Sequence, residues 1–366
     1  MKGRTTDMVT MLDCIRRTAK VADYMFENSV EVTAAVEKLL KDRISEIDEI
    51  IMVGSGSSHN AIVTATPFME KASNLQVHGF FPNTFLNKTV FNKNALYIFA
   101  SQSGTSKLVT DMIVKANENG FLTLAVTDDA NSPIAKEAKA HVSICVNGEE
   151  YGYRTVGFCA TFLALQLIAM RIGCMNGFLS REAYEAYIAD GKKAVKNHPD
   201  VVERSLKWFE SRKDALKNTR THIFYGSGDL YGIALEGALK LLEVAKQYMA
   251  IGYEQEDGLH GPCLGFVKGD VVIALSDGVR DRELAHSVVR FSKNELGQGY
   301  IFGCDVEDET DLAFNICSEN FKALEVAPAV EVLSYMMAVI NDVPVEPIAT
   351  RAPHPSSKYF QTHSGR

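Results

Sequence analysis

The chain alternates short apolar runs with stretches whose apolar residues recur every three or four positions. That alternation predicts strands followed by amphipathic helices, and so a parallel sheet covered on both faces. Residues 1–44 carry Met8, Leu12 and Ile15, then Val32, Val36, Leu39 and Leu40, the pattern of one or two amphipathic helices. Strands are predicted at 49–53, 75–78, 95–100, 122–126 and 141–146. Helices are predicted at 59–71, after Ser106 and after Ser132-Pro133; the second stops at Asn119-Gly120, where glycine supplies a left-handed cap. A helical belt is expected over 155–216. Its greasiest stretch, 156–170, reads as a buried helix, two more polar helices follow, and the charged stretch 192–220 reads as a helical linker. The pattern then restarts with a strand at 222–225, a glycine turn at 226–229, a helix at 233–246 and a strand at 271–275. Gly54-Ser55-Gly56-Ser57 and Gly226-Ser227-Gly228-Asp229 look like two copies of one unit, about 170 residues apart. The tail after Pro347 is too rich in proline for regular structure and reads as an extended arm.

The turn after strand 95–100 is Ser101-Gln102-Ser103-Gly104-Thr105-Ser106. A strand-to-helix turn offers unpaired backbone N–H groups and the positive end of a helix dipole. Short hydroxyl side chains added to these make an anion cradle, most naturally for phosphate. The lysine and spacing of a nucleotide P-loop are missing, so a small phosphorylated metabolite is expected. In the second copy the matching turn is Ser276-Asp277-Gly278-Val279-Arg280. An aspartate there would repel phosphate, which places the anion in the first copy only. The plainer alternative is that the serines merely cap helices; two matched turns in one chain weigh against it.

At 366 residues the chain exceeds one average domain, and two are expected. A net charge of -8 argues against nucleic acid as a partner, since backbone binding needs a basic face. The seven cysteines are scattered, with no C-x-x-C pair, which suits reduced thiols and a cytoplasmic location. No apolar segment follows Met1, and 156–170 is too short to span a bilayer, so no membrane partner is expected. Nor is there metal-ligand spacing, and no cofactor is implied. His59, His78, His141 and His222 lie beside strands or a helix start and read as structural.

Two segments can carry chemistry. In Ala234-Leu235-Glu236-Gly237-Ala238-Leu239-Lys240-Leu241-Leu242-Glu243, the residues Glu236, Lys240 and Glu243 share one helix face. A solvated ion-pair stripe is the bland reading. Against it, the helix follows a glycine turn at the end of a parallel sheet where ligands bind in open α/β folds. The second segment is the acidic loop Tyr253–Pro262, whose His260 between Gly258 and Gly261-Pro262 is a general-acid candidate.

With Ser101–Ser106, Ala234–Lys240 and His260-Gly261-Pro262 together, the chain resembles the double-SIS (sugar isomerase) family from about residue 45 to 340. That family includes the isomerase half of glucosamine-6-phosphate synthase and the fructosamine-6-phosphate deglycases. The resemblance implies an α/β fold of two tandem SIS domains, each a parallel sheet flanked by helices. It sets a phosphosugar-binding domain at 45–195, a domain with the base and histidine at 196–345, N-terminal helices at 1–44 and a C-terminal arm at 346–366. It implies that Ser101, Gln102, Ser103, Thr105 and Ser106 hold phosphate and sugar, and that Ser55, Gly56, Ser57 and Ser58 form the other half of the pocket. Gly152-Tyr153-Arg154-Thr155 matches a loop that touches the sugar. Arg154 there is a cation for phosphate or for a substrate carboxylate. Glu243 matches the base at C1/C2, with Glu236 and Glu254 as alternatives because the stretch to His260 is one residue longer than in the synthase. His260 matches the ring-opening histidine, usually lent by a neighbouring subunit, so a homodimer or higher oligomer with shared sites is expected.

The synthase's Schiff-base lysine signature is absent, and Arg351, His354 and Lys358 look more like a deglycase tail. No glutaminase domain precedes the first copy, so the chain is not expected to take ammonia from glutamine. Freeing an amine from a fructosamine, or interconverting ketose and aldose, needs a proton to leave carbon beside a carbonyl or imine. A carboxylate base, a histidine and a remote phosphate suit both, so deglycase and isomerase remain the two enzymatic readings, with the deglycase favoured by the tail. A non-catalytic phosphosugar sensor is the alternative.

Overall fold

The computed structural model describes residues 9–345 and 355–364. Its contacts divide the chain into two compact units. The first is Lys20–Gly148, Gly157–Lys192 and Ala352–Arg366; the second is Met1–Ala19, Glu149–Val156 and Lys193–Arg351.

In the first unit, β1 (Glu49–Val53), β2 (Gln76–Phe80), β3 (Ala95–Ala100), β4 (Leu122–Thr127) and β5 (Ala140–Ser143) form one five-stranded sheet in the order β2-β1-β3-β4-β5. Every pair is parallel. The run Ala-Leu-Tyr-Ile-Phe-Ala of β3 is buried at every position, as a central strand covered on both faces requires. Helices α1 (Met11–Glu27), α2 (Ser29–Val32) and α3 (Ala34–Leu40) precede the sheet. Within and after it come α4 (Ser57–Ser73), α5 (Pro82–Leu86), α6 (Lys107–Glu118), α7 (Pro133–Glu137) and α8 (Val156–Met175). Gly120, at φ +77°, ends α6 as the pattern predicts. The short α5, opened by Pro82 at its first turn, has too few residues to show a helical period in sequence. Tyr97 and Phe121 stack at 4.8 Å under α6, among Phe99, Met112 and Ile113.

The second unit repeats this winding. Its strands β6 (Thr221–Gly226), β7 (Met249–Glu254), β8 (Val271–Ser276), β9 (Gly299–Gly303) and β10 (Leu312–Ala313) run parallel in the order β10-β9-β8-β6-β7. The helical stretch 181–217 is a single helix, α9 (Arg181–Lys217), where the sequence pattern predicts more than one. Pro199 lies inside it, and buried Ala194, Val201, Val202 and Phe209 hold both sides of the proline in place. Then follow α10 (Asp229–Lys240), α11 (Arg282–Phe291) and α12 (Lys322–Ile340). Strand β7 is an edge strand with Met249 and Ile251 exposed, so its run is mixed and not continuously buried. By length and composition α8 and α12 are apolar enough to cross a membrane, but 83% and 78% of their apolar windows are buried in the protein.

In both sheets the chain leaves the first strand to one side and returns on the other. Ligands bind outside the carboxyl ends of strands at such a reversal. It falls between β1 and β3 in the first unit, and between β6 and β8 in the second.

Candidate functional site

In the first unit, residues 54–58 and 101–106 leave neighbouring strands at this reversal. Gly56 caps α4 at φ 56° and ψ −133°, a conformation that only glycine adopts readily. Ser55 and Gly56 are exposed, and Ser57 and Ser58 are half-buried. In the second turn Ser101 and Gln102 are buried while Ser103, Thr105 and Ser106 are half-buried. The hydroxyls of Ser101 and Ser106 lie 3.2 Å apart, and those of Ser103 and Thr105 2.9 Å apart. Ser106 is the N-cap of α6, yet its side chain makes no capping bond. Ser106 is therefore not explained by capping. Gln102 is held against α8: a Cβ on Gly157 would stand 1.8 Å from its Oε1, so any side chain there would displace the Gln102 amide.

A contact with no sequence signal crosses this turn. Residues 362–364 of the tail run antiparallel to it, bridging Ser106 to His363. Lys107 N–H, in the first turn of α6, donates to the Thr362 carbonyl at 3.1 Å, and Ser364 N–H to the Thr105 carbonyl at 2.8 Å. Arg351 and His354 lie outside the described residues, and Lys358 ends an exposed 3-10 turn.

The corresponding turns of the second unit are built alike and filled differently. Gly228 caps α10 at φ 59° and ψ −124°, nearly the geometry of Gly56. Asp277 folds back so that its carboxylate accepts the Val279 and Arg280 N–H groups at 2.9 and 2.8 Å. Lys322 donates to its other oxygen at 2.5 Å and stands 3.7 Å from Asp229. Burial pushes Asp277 up, but Lys322 and the two amides outweigh it and hold the carboxyl below its usual range. Asp277 thus supplies its own anion to this turn, a stronger reason for keeping phosphate out than the repulsion read from sequence.

Glu236, Lys240 and Glu243 do share one face of α10 and its continuation, buried at Glu236 and Lys240 and open at Glu243. Lys240 is 1% exposed, 3.5 Å from Glu236 and 2.5 Å from Glu243. Burial opposes its charge, but Glu236 and Glu243 outweigh that and keep the ammonium protonated. The helix closes in a single π turn, Leu241–Ala245, ended by Lys246 at φ +60°. Such turns re-aim side chains and recur at functional sites. The turn leaves the Glu243 side chain 39% exposed, whereas Glu236 is wholly buried. Glu254 accepts the Glu256 and Asp257 N–H groups and is committed to shaping the loop. Of the three candidate bases, Glu243 is the one that combines access with a fixed cationic partner. A further carboxyl, Glu331 of α12, lies in the field of Lys240 and Glu236; both its oxygens are buried without a hydrogen-bond partner. Burial, then Glu236 and Glu149, push it well above the usual carboxylate range.

The loop 149–156 belongs to this second unit. Glu149, with no side-chain exposure, accepts from Thr155 N–H at 2.8 Å and Thr155 Oγ1 at 2.9 Å, and its charge reaches Lys240. Thr155 is therefore buried with its hydroxyl engaged, while Tyr153 and Arg154 are half-buried. His260 is 77% exposed and lies 2.9 Å from Glu256. Sequence reasoning did not single out Glu149, Lys322, Glu331 or residues 362–364; each acts through a partner far away in the chain. Of the histidines read as structural, His59 stacks on Phe81 at 3.6 Å, His141 meets Thr127 Oγ1 at 2.9 Å, and His222 is buried. The fourth, His78, stays half-exposed beside Glu49.

Residues 43–171 match the family model described as SIS domain. The chain is 25% identical over 238 residues to glutamine--fructose-6-phosphate aminotransferase [isomerizing] of Streptococcus pneumoniae, covering 63% of this chain and 38% of that protein. It thus spans less than half the length of that curated relative. Among solved structures, a candidate phosphosugar isomerase from Clostridium difficile 630 superposes with a TM-score of 0.86 at 22% identity, covering 96% of this chain and 98% of the other. The C-terminal domain of glucosamine-fructose-6-phosphate aminotransferase from Francisella tularensis gives 0.83 at 20% identity, covering 92% and 97%. The fold is that of SIS-domain proteins.

Proposed function

We propose that this chain is an enzyme acting at C1 and C2 of an amino sugar or fructosamine 6-phosphate, with Glu243 as base and His260 as ring-opening acid. In this reading the turn 101–106 holds the phosphate through hydroxyls, main-chain N–H groups and the α6 terminus, with Ser55–Ser58 completing the pocket. Binding energy from the phosphate, remote from the reacting carbons, fixes geometry at C1 and C2. His260 donates to the ring oxygen. Glu243 takes a proton from one carbon and returns it to its neighbour, with Tyr153 and Thr155 shaping the pocket. The observation that carries the reading is the Glu243 carboxylate, accessible to solvent yet fixed at 2.5 Å by a buried ammonium. The SIS match and the fructose-6-phosphate aminotransferase relative support the substrate class. The exposure of His260 supports its service to a neighbouring copy in a dimer or higher oligomer. In domain terms, two tandem SIS domains divide the work, the first taking phosphate and the second supplying base and acid.

The test is incubation with fructose 6-phosphate, glucosamine 6-phosphate and a fructoselysine 6-phosphate type compound, following released amine and glucose 6-phosphate. Glu243→Gln is expected to abolish turnover, by at least about 1,000-fold, while calorimetry still registers ligand. Turnover at the wild-type rate in that variant moves the base elsewhere. Binding without turnover in the wild type makes the chain a sensor.

A further inference from the structure

Glu331 is a buried acid for which the proposed mechanism has no use. It lies on α12 with no exposure, and neither side-chain oxygen has a hydrogen-bond partner among the described residues. A carboxylate in that position would give up its hydration for nothing in return, which is why buried acids are either paired or hold a proton. Gly237 lets α10 and α12 approach closely: a Cβ there would stand 3.0 Å from Val330 Cβ and 3.1 Å from the Phe224 ring. Glu331 follows Val330 on α12 and comes into the field of Glu236 and Lys240 on α10.

The charges around Glu331 do not balance. Glu236 and Lys240 face it from α10 and Glu149 from the loop 149–156, while Glu243 on the π turn shares Lys240. Strand β9, also packed on α12, carries no charged side chain. Along α12 itself, Lys322 is engaged by Asp277, Glu325 by the Cys317 and Ser318 N–H groups, and Tyr335 by Thr10. Four carboxyl groups thus share two cations, Lys240 and Arg154, the latter 4.0 Å from Glu149. Like charges this close and this dry do not all persist, and one group keeps a proton. Glu149 accepts twice from Thr155, Glu236 and Glu243 hold Lys240 between them, and Glu243 also meets solvent. Glu331 has neither a donor nor exposure, so the proton belongs there. A charge on Glu331 would also pull at Lys240, the ammonium that fixes Glu243 at 2.5 Å. We propose that Glu331 is a positioning residue for the base: by holding a proton it leaves Lys240 committed to Glu243, and on losing that proton it draws Lys240 away and releases the base. This role rests on Glu243 being the base, and it builds an alkaline limit on turnover into the fold.

The experiment follows the C=O stretch of protonated glutamate by infrared titration, alongside the pH dependence of kcat on the sugar phosphates named above. Isotope-labelled glutamate separates this band from that of Asp229, which burial also pushes up. At neutral pH the wild type should show a protonated band that Glu331→Gln lacks. Raising the pH should remove the band, with kcat falling at the same midpoint. In Glu331→Gln the alkaline limb of kcat should move up by about one pH unit or more while KM holds. Glu243→Gln removes a like charge and frees Lys240, so in that variant the band should vanish at a pH lower by about one unit or more. The wild-type and Glu243→Gln titrations leave position 331 unaltered and so do not depend on how Glu331→Gln folds. No protonated band at neutral pH, or one that survives in a folded Glu331→Gln, overturns the assignment. So does a midpoint that Glu243→Gln leaves in place, or an alkaline limb that Glu331→Gln leaves in place. If the band behaves as expected in all three proteins but no sugar phosphate turns over, Glu331 still governs Lys240, and Glu243 as base is the part that fails.

Discussion

Lys240 sits at 1% exposure between Glu236 and Glu243, with Glu149 and Glu331, whose burial favours its protonated form, in its field. Removing one partner from a buried ion pair leaves an uncompensated charge that costs about 3–5 kcal/mol. Lys240→Met should lower the stability read by urea denaturation by that amount, because it takes the ammonium away from the wholly buried Glu236, 3.5 Å from it. Glu331→Gln should shift it by less than about 1 kcal/mol, since an amide has the shape of the protonated acid. A Lys240→Met protein as stable as the wild type would mean that Glu236 is not ionised in the fold. At this scale the sequence displays the spacing of Glu236, Lys240 and Glu243 but not the burial of Glu236 and Lys240. A solvated stripe reads identically until α12 is known to cover it. Glu331 had no local signal, because its partners lie on another helix.

At the scale of elements, the strand-to-helix turns were legible because hydroxyls and glycines at a change of period have few other uses. The filling of the second turn was legible only in part. An aspartate announces negative charge, whereas its fold-back onto two amides depends on Lys322, supplied by α12. The tail's placement was illegible beyond an extended arm, since it is tied to Thr105–Lys107 by main-chain bonds that leave no side-chain pattern. Deleting residues 360–366 should therefore speed hydrogen exchange at the Lys107 amide by about tenfold or more, one lost bond, while β3 amides keep their protection. Unchanged exchange at Lys107 would show that the strap does not form in solution.

For the whole molecule, the parallel sheets were readable because apolar runs alternate with helical periods. Strands β7, β9 and β10 and helices α11 and α12 were not picked out: β7 has exposed outward residues and a mixed run, β9 is bracketed by Gly299 and Gly303, and β10 has only two residues. Stability should depend on pH through buried histidines. Burial pushes His59 and His198 down to about 4 and His222 to about 3, below the unfolded value. A depressed histidine contributes stability that is complete above about pH 6.5 and lost as the unfolded chain takes up protons below it. Asp229, pushed up to about 6 by burial, and Glu331 act in the opposite direction, so single variants report more cleanly than totals. Both ring nitrogens of His198 lack partners. Relative to the wild type, His198→Leu should therefore gain about 1.4 kcal/mol for each pH unit between about 6.5 and 4. A pH-independent difference would mean that His198 titrates freely when folded.

The carboxylate that Asp277 presses into its own turn has a consequence for dose and response. A repeated architecture need not mean repeated occupancy: a titration with a phosphorylated hexose should end at one equivalent per polypeptide, and Asp277→Ser should raise uptake of inorganic phosphate above that. Within one chain the saturation curve must then be hyperbolic. Any sigmoid has to arise from separate copies influencing one another.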